Sequence, residues 1–335
     1  MRILYAIQGT GNGHLTRALD IIPALQQHGE VDLLVSGCQV DLPLPYPVKY
    51  RLNGMSFIFG KNGGVDFYKT VAQANSRSFY REIRQLPVKD YDLVVSDFEP
   101  ISSWACLLAK KHCVGLSNQV AVLNPHVPKP KEVDPMGKFI LKNYAPTTAQ
   151  YGFHFARFDD SIFTPIIRKQ VRELEVSNQG HYTVYLPAYD DHKIINKLTR
   201  FKKIEWQVFS KHNKQPLRHE NVSVQPIQND RFLQSMASSA GVLCAAGFGT
   251  PSEVLYLQKK LLVVPMKNQF EQACNAAALH YLGVPTLKNL KKKHLPRIQD
   301  WLEHGQPLEV HYPDETDALV QRIVQENTSP KIFKV

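Results

Sequence analysis

Along the first part of the chain, short apolar runs alternate with segments in which apolar side chains recur at helical spacing. Residues 2–8 are rich in strand formers and end at glycine, residues 15–27 place apolar groups three and four apart, and residues 31–36 form a second apolar run. This pattern predicts a βαβ unit. A strand at 91–96, a helix at 102–111 and a strand at 113–117 continue it, which is the rhythm of a parallel sheet covered by helices.

Prolines at 125, 128, 130, 135 and 146 then interrupt regular structure, with room for a short helix around 136–144. The rhythm restarts beyond a crossing near 155–165. Strands are expected at 181–186, 205–210, 222–226, 241–245 and 261–265, and helices at 190–198, 230–238 and 252–257. The fold class is therefore α/β, with two Rossmann-like doubly wound domains, 1–158 and 159–335, facing a central cleft. Each should bind ligand at the carboxyl ends of its strands. A last amphipathic helix at about 315–327 is expected to pack back on the first domain, and the domains to close about the crossing. Residues 43–64, rich in Pro, Gly and aromatics, read as loops with at most one strand pair, suited to acceptor contacts.

The length of 335 residues exceeds the size of one hydrophobic core and agrees with two domains. No apolar run reaches the ~18 residues of a membrane span, and the N-terminus lacks the pattern of a signal peptide, so a cytoplasmic protein is expected, with attachment to the inner face of the membrane left open. The cysteines (Cys38, Cys106, Cys113, Cys244, Cys274) lack metal-ligand spacing and read as reduced core residues. The net charge of +10 calls for an acidic partner such as a nucleotide diphosphate, an anionic membrane surface or nucleic acid. The excess is mainly C-terminal: residues 1–160 carry 17 basic and 14 acidic side chains, the remainder 23 and 16. No interleaving of aromatic and basic residues supports nucleic acid.

The turn Gly9-Thr10-Gly11-Asn12-Gly13-His14 lies between a strand and a helix, where free backbone N–H groups attract anions. It is neither a dinucleotide fingerprint, because no carboxylate ends the second strand, nor a P-loop, because His14-Leu15 stands where lysine and a hydroxyl residue are needed. What remains is an imidazole at a helix start, suited to act as a general base and in need of an orienting partner. Asp97 and Glu99 project to one side if their strand continues, and Asp97 is the choice; ordinary helix capping is the competing reading of both. Asp90-Tyr91-Asp92 has the form of a metal-binding tripeptide but precedes its strand, away from the ligand edge, so no metal site is expected.

A second turn, Ala246-Gly247-Phe248-Gly249-Thr250-Pro251-Ser252-Glu253, joins a strand to a helix. Its glycines and the hydroxyls of Thr250 and Ser252 suit a diphosphate, Glu253 a ribose diol, and Glu271-Gln272, in the loop after the next strand, the hydroxyls of a sugar. This segment resembles the donor motif of GT-B glycosyltransferases of the MurG and UDP-glucuronosyltransferase type. The first turn with Thr16-Arg17-Ala18 resembles their acceptor-side motif. A Ser-Asp-Phe-Glu-Pro segment (Ser96 to Pro100) and a Ser-Asn-Gln segment (Ser117 to Gln119) are similar to those of an uncharacterised bacterial and archaeal branch.

The resemblance implies diphosphate contacts from Gly247, Gly249 and Thr250, ribose contacts from Glu253, sugar contacts from Glu271 and Gln272, and His14 as base. Ala245 stands where plant-type relatives carry a phosphate-binding histidine, which throws more of that task on backbone donors. Gly11, Asn12, Gly13, Glu99 and Asn118 fall on the acceptor side. The activity implied is inverting, metal-independent transfer from a nucleotide sugar, with UDP as the expected nucleotide, needing no further cofactor. The acceptor is a lipid-linked compound, a small molecule or a glycan. A nucleotide-sugar 2-epimerase of the same fold and a non-enzymatic basic nucleotide or nucleic-acid binding module are the alternatives.

Overall fold

The computed structural model describes residues 1–10, 12–37, 44–54, 59–60, 64–65, 76–132 and 134–328. Gly11, Cys38 and, within the segment 43–64, residues 43, 55–58 and 61–63 lie outside them.

The first half runs β1 (Arg2–Gln8), α1 (Asn12–Gln26), β2 (Glu30–Ser36), β3 (Tyr50–Leu52), the short antiparallel pair β4 (Phe59–Gly60) and β5 (Gly64–Val65), α2 (Ser76–Gln85), β6 (Leu93–Asp97), α3 (Pro100–Ala109), β7 (Val114–Ser117), α4 (Asn118–Leu123), α5 (Pro135–Tyr144), β8 (Ala149–Phe153) and β9 (Ile162–Phe163). Seven of these strands form one sheet in the order β3-β2-β1-β6-β7-β8-β9, parallel throughout. Burial of both faces explains the continuous apolar runs, since β1 and β6 carry alternate side chains into two different cores. Because β9 pairs with β8, the first sheet extends to Phe163, beyond the boundary at 158 drawn from the sequence.

The second half runs α6 (Lys169–Arg172), β10 (Tyr182–Tyr185), α7 (Asp191–Leu198), β11 (Trp206–Ser210), β12 (Leu217–His219), β13 (Val222–Pro226), α8 (Asn229–Ser238), β14 (Gly241–Ala245), α9 (Gly249–Tyr256), β15 (Lys260–Val264), α10 (Phe270–Tyr281), α11 (Leu295–His304) and α12 (Thr316–Thr328). Its sheet has the order β12-β13-β11-β10-β14-β15, parallel except for the edge strand β12. The helix α12 lies against α1, with Leu319, Val320 and Ile323 in the same buried cluster as Ile21, Ile22 and Leu25. Gln27 donates to Asp317, and Tyr151 to Glu326, at its two ends.

Strand order reverses between β1 and β6 in the first sheet and between β10 and β14 in the second. Such a reversal opens a crevice at the carboxyl ends of the strands, because the flanking helices go to opposite faces. The turns after β1, β6 and β14 are therefore where ligands should lie. Four of the cysteines, Cys106, Cys113, Cys244 and Cys274, are free and buried.

Candidate active site

The crevice of the first sheet places the start of α1 beside the end of β6. His14 Nδ1 lies 2.7 Å from Asp97 Oδ1, and Arg17, one turn further along α1, donates through one nitrogen to both carboxylate oxygens at 2.6 and 2.7 Å. The Tyr5 hydroxyl approaches the same carboxylate at 3.5 Å, and the Arg17 guanidinium covers the Phe153 ring. Burial pushes the Asp97 carboxyl up, but the adjacent charges and hydrogen bonds of Arg17 and His14 outweigh burial and hold it below the usual carboxylate range. An ionised carboxylate can only accept, so His14 presents an Nδ1–H to it, and the neutral imidazole in this orientation has its lone pair on Nε2.

The chain leaves β6 through Phe98, whose φ of +56° is in the left-handed region that a bulky side chain rarely adopts. The Phe98 ring stacks on Tyr144 with centroids 4.8 Å apart and lies nearly parallel to the His14 ring. This turn ends the strand, so Asp97 and Glu99 do not share a side. Glu99 is corrected from an acceptor-side residue to a buried helix cap: it accepts from the N–H groups of Ile101 and Ser102 at the start of α3 and from the Ser36 hydroxyl. Asp92 accepts from the Arg2 N–H at the opposite end of the sheet, remote from this crevice.

Asn118 also leaves the acceptor side. It opens α4 directly after β7, is buried, and donates to the Phe153 carbonyl, tying the ends of β7 and β8 together. One helical step of about 100° turns the next side chain, Gln119, toward the cleft instead. Gln119 was missed as a functional residue in the sequence. Its Nε2 lies 2.9 Å from Glu271 Oε2 and 3.4 Å from His14 Nε2.

A cavity of about 420 Å³ opens over His14. Gln8, Thr10, Phe98, Met136 and Leu141 line its first-domain side, and 268–271 its second-domain side. The lining mixes apolar side chains such as Phe98, Ile140 and Phe270 with polar ones that include the imidazole, the Gln119 amide, Asp134 and Glu271. Gly13 borders open space; Asn12 begins α1, and Gly11 is outside the described residues. Glu271 and Gln272 are not in a loop: α10 begins at Phe270 with Gln269 as its cap, which puts both in the first turn. The Gln272 amide accepts from the Met266 N–H and contacts the Met266 sulfur, holding the incoming chain.

At the second sheet's crevice, Gly247 and Gly249 face open space; a Cβ on either would meet no heavy atom within 4 Å. The helix α9 begins at Gly249 without a side-chain cap, and Thr250 is partly exposed in its first turn, an arrangement that leaves backbone N–H donors for an anion. Ser252 is corrected here: its hydroxyl is buried and donates to the Phe248 carbonyl one turn back, so it offers nothing to a phosphate. Both oxygens of Glu253 are held by Arg168, at 2.5 Å to Nε and 2.9 Å to Nη2, and Arg168 also donates to Asn229. Arg168 went unnoticed in the sequence, where only its position beside the apolar pair Ile166-Ile167 could have marked it for burial. Each Glu253 oxygen retains a further acceptor site for a ribose hydroxyl.

The model of the family described as Glycosyl transferase family 1 matches residues 1–304. No curated protein matches in sequence. Among solved structures the chain is similar to MurG from Acinetobacter baumannii (15% identity, 97% of this chain and 99% of that one, TM-score 0.56). It is similar to LpCGTa in complex with UDP (12%, 98% and 95%, 0.56) and to UGT89C1 of Arabidopsis thaliana complexed with quercetin (11%, 99% and 95%, 0.57). These likenesses cover both sheets.

Proposed function

The chain belongs to glycosyl transferase family 1 and is a glycosyltransferase of GT-B fold, and from that premise we propose that it transfers a sugar from a UDP-sugar to an acceptor hydroxyl with inversion and without a metal ion. The observation that carries this reading is the 2.7 Å contact between His14, which lines the cavity, and a buried, ionised Asp97 behind it. The carboxylate fixes the tautomer, and Nε2 takes the acceptor's proton as its oxygen attacks the anomeric carbon. The bond from that carbon to the diphosphate breaks on the opposite face. Charge growing on the leaving diphosphate is met by the open glycine backbone and positive end of α9.

UDP as the nucleotide is supported by the UDP complex among the similar structures, and a small hydroxyl-bearing acceptor by the quercetin complex. Glu253 and Glu271 are assigned to ribose and sugar hydroxyls, with Gly247, Gly249 and Thr250 at the diphosphate. On α5, Met136, which lines the cavity, and Phe139 are 61% and 65% exposed, and Lys138 and Lys142 of the same helix are exposed too. This mixed apolar and basic face suits a cytoplasmic enzyme that works against an anionic membrane. Among the described residues no helix is long and apolar enough to cross one. The proposal is tested by His14→Ala: UDP release from a UDP-sugar should be lost while calorimetry shows UDP bound as before. Retained turnover would remove His14 from the mechanism.

A further inference from the structure

The contacts that cross the cleft among the described residues include the following three. Glu132 pairs with Lys288 at the surface, Gly137 of α5 packs so closely on Phe270 that a Cβ there would come within 2.6 Å of it, and Gln119 donates to Glu271. Of the three, the Gln119 contact reaches both half-sites. Its amide nitrogen donates to the Glu271 carboxylate at 2.9 Å and lies 3.4 Å from His14 Nε2. With Nδ1–H committed to Asp97, Nε2 is an acceptor, so the two amide hydrogens account for both contacts. Gln119 is only 4% exposed, and its Oε1 is buried without a hydrogen-bond partner among the described residues. An unpaired buried carbonyl is costly, and an apolar side chain at this position would avoid it.

We propose that Gln119 is a positioning residue that interlocks the two half-sites: it ties Glu271 to His14 while the donor site is empty, and sugar hydroxyls that claim Glu271 release it from the base. This rests on the assignment of Glu271 to the sugar and His14 to the base. The base is thereby freed only when a donor sugar, and not a bare nucleotide, is in place. Because the sugar must displace a charge-assisted hydrogen bond, part of its binding is spent on that release.

The test is calorimetric binding of UDP and of UDP-glucose to the full-length wild type and to Gln119→Leu, which keeps the volume and removes both donors. UDP should bind both proteins alike, while UDP-glucose should bind the variant about tenfold tighter, the worth of one hydrogen bond to a charged group. Equal affinities in both proteins, or parallel losses for UDP and UDP-glucose, would overturn the interlock and leave Gln119 a structural side chain. A wild type that binds neither nucleotide would count against the donor reading itself. The interlock is then decided without donor, by the rate at which diethyl pyrocarbonate modifies His14. Gln119→Leu should react several-fold faster because Nε2 is released, with Gln119→Asn, too short to span both partners, intermediate; identical rates in all three would overturn it.

Discussion

Replacing Asp97 by asparagine changes one oxygen to an amide and little else in shape, yet it strikes three hydrogen bonds to two partners at once. The carboxylate is fully buried and accepts from His14 at 2.7 Å and from Arg17 at 2.6 and 2.7 Å. The neutral amide would leave the buried Arg17 cation without its anion, which costs about 3 kcal/mol even with one carbonyl acceptor kept. For a chain of 335 residues that lowers Tm by about 4 °C. The catalytic effect should be larger. Without an ionised acceptor on Nδ1 the imidazole no longer holds its lone pair on Nε2, and turnover should fall about a hundredfold to ten-thousandfold. UDP release from UDP-glucose, followed beside calorimetric UDP affinity and a thermal melt, separates the two effects at a temperature where the variant is folded. The pH dependence gives an independent check. The folded carboxyl titrates below its unfolded value near 3.9, so its stabilisation is complete above that value and lost as pH falls through the folded one; Asp97→Asn should flatten this part of the acid-unfolding curve. Turnover within a factor of about three of wild type, with UDP still bound, would refute the reasoning, because general-base assistance is worth at least about a hundredfold.

Other expectations follow from the same geometry. Glu99→Gln should cost about 1–2 kcal/mol, since an amide cannot accept from both N–H groups and Ser36 together, yet leave UDP affinity unchanged in calorimetry. Gly249→Ala should leave Tm essentially unaltered, because the added methyl meets no heavy atom within 4 Å, but weaken UDP binding about tenfold by occupying the diphosphate approach. His154 is buried among Phe155, Phe158 and Phe248, and burial drives its pKa down to about 3. The unfolded chain therefore takes up this proton first, and stability should fall by about 1.4 kcal/mol per pH unit between about 6.5 and 3. His154→Phe should remove that slope from urea titrations run across this range, and an unchanged slope would show that other groups set it.

The fold was legible because both sheets are buried on two faces, which writes each parallel strand as an apolar run and each covering helix as a 3.6-residue period. Position 98 shows where such reading stops. A strand continued through Phe98 would have set Asp97 and Glu99 side by side; Phe98 is left-handed instead, with its ring stacked on Tyr144, 46 residues away in the chain, and the turn makes Glu99 a cap. Asn118 is drawn off the acceptor side because a helix not expected from the sequence begins there, and the helical step from Asn118 turns Gln119 to the cleft instead. Ser252 looked like a phosphate donor from composition, but its hydroxyl is consumed by the Phe248 carbonyl within its own helix. Arg168 and Gln119 were invisible because their partners, Glu253 and Glu271, are 85 and 152 residues distant. The His14–Asp97 pair spans 83 residues and was within reach only because each stands at the carboxyl end of a recognisable strand.

The most direct test of the account is a time-resolved proton NMR experiment on UDP-α-glucose with the wild type and His14→Ala, water serving as acceptor. Inverting attack assisted by His14 predicts that the first anomeric signal to appear is β-glucose, formed together with UDP, and that both signals vanish in the variant. α-Glucose appearing first, a new nucleotide sugar without UDP, or undiminished release by His14→Ala would contradict it.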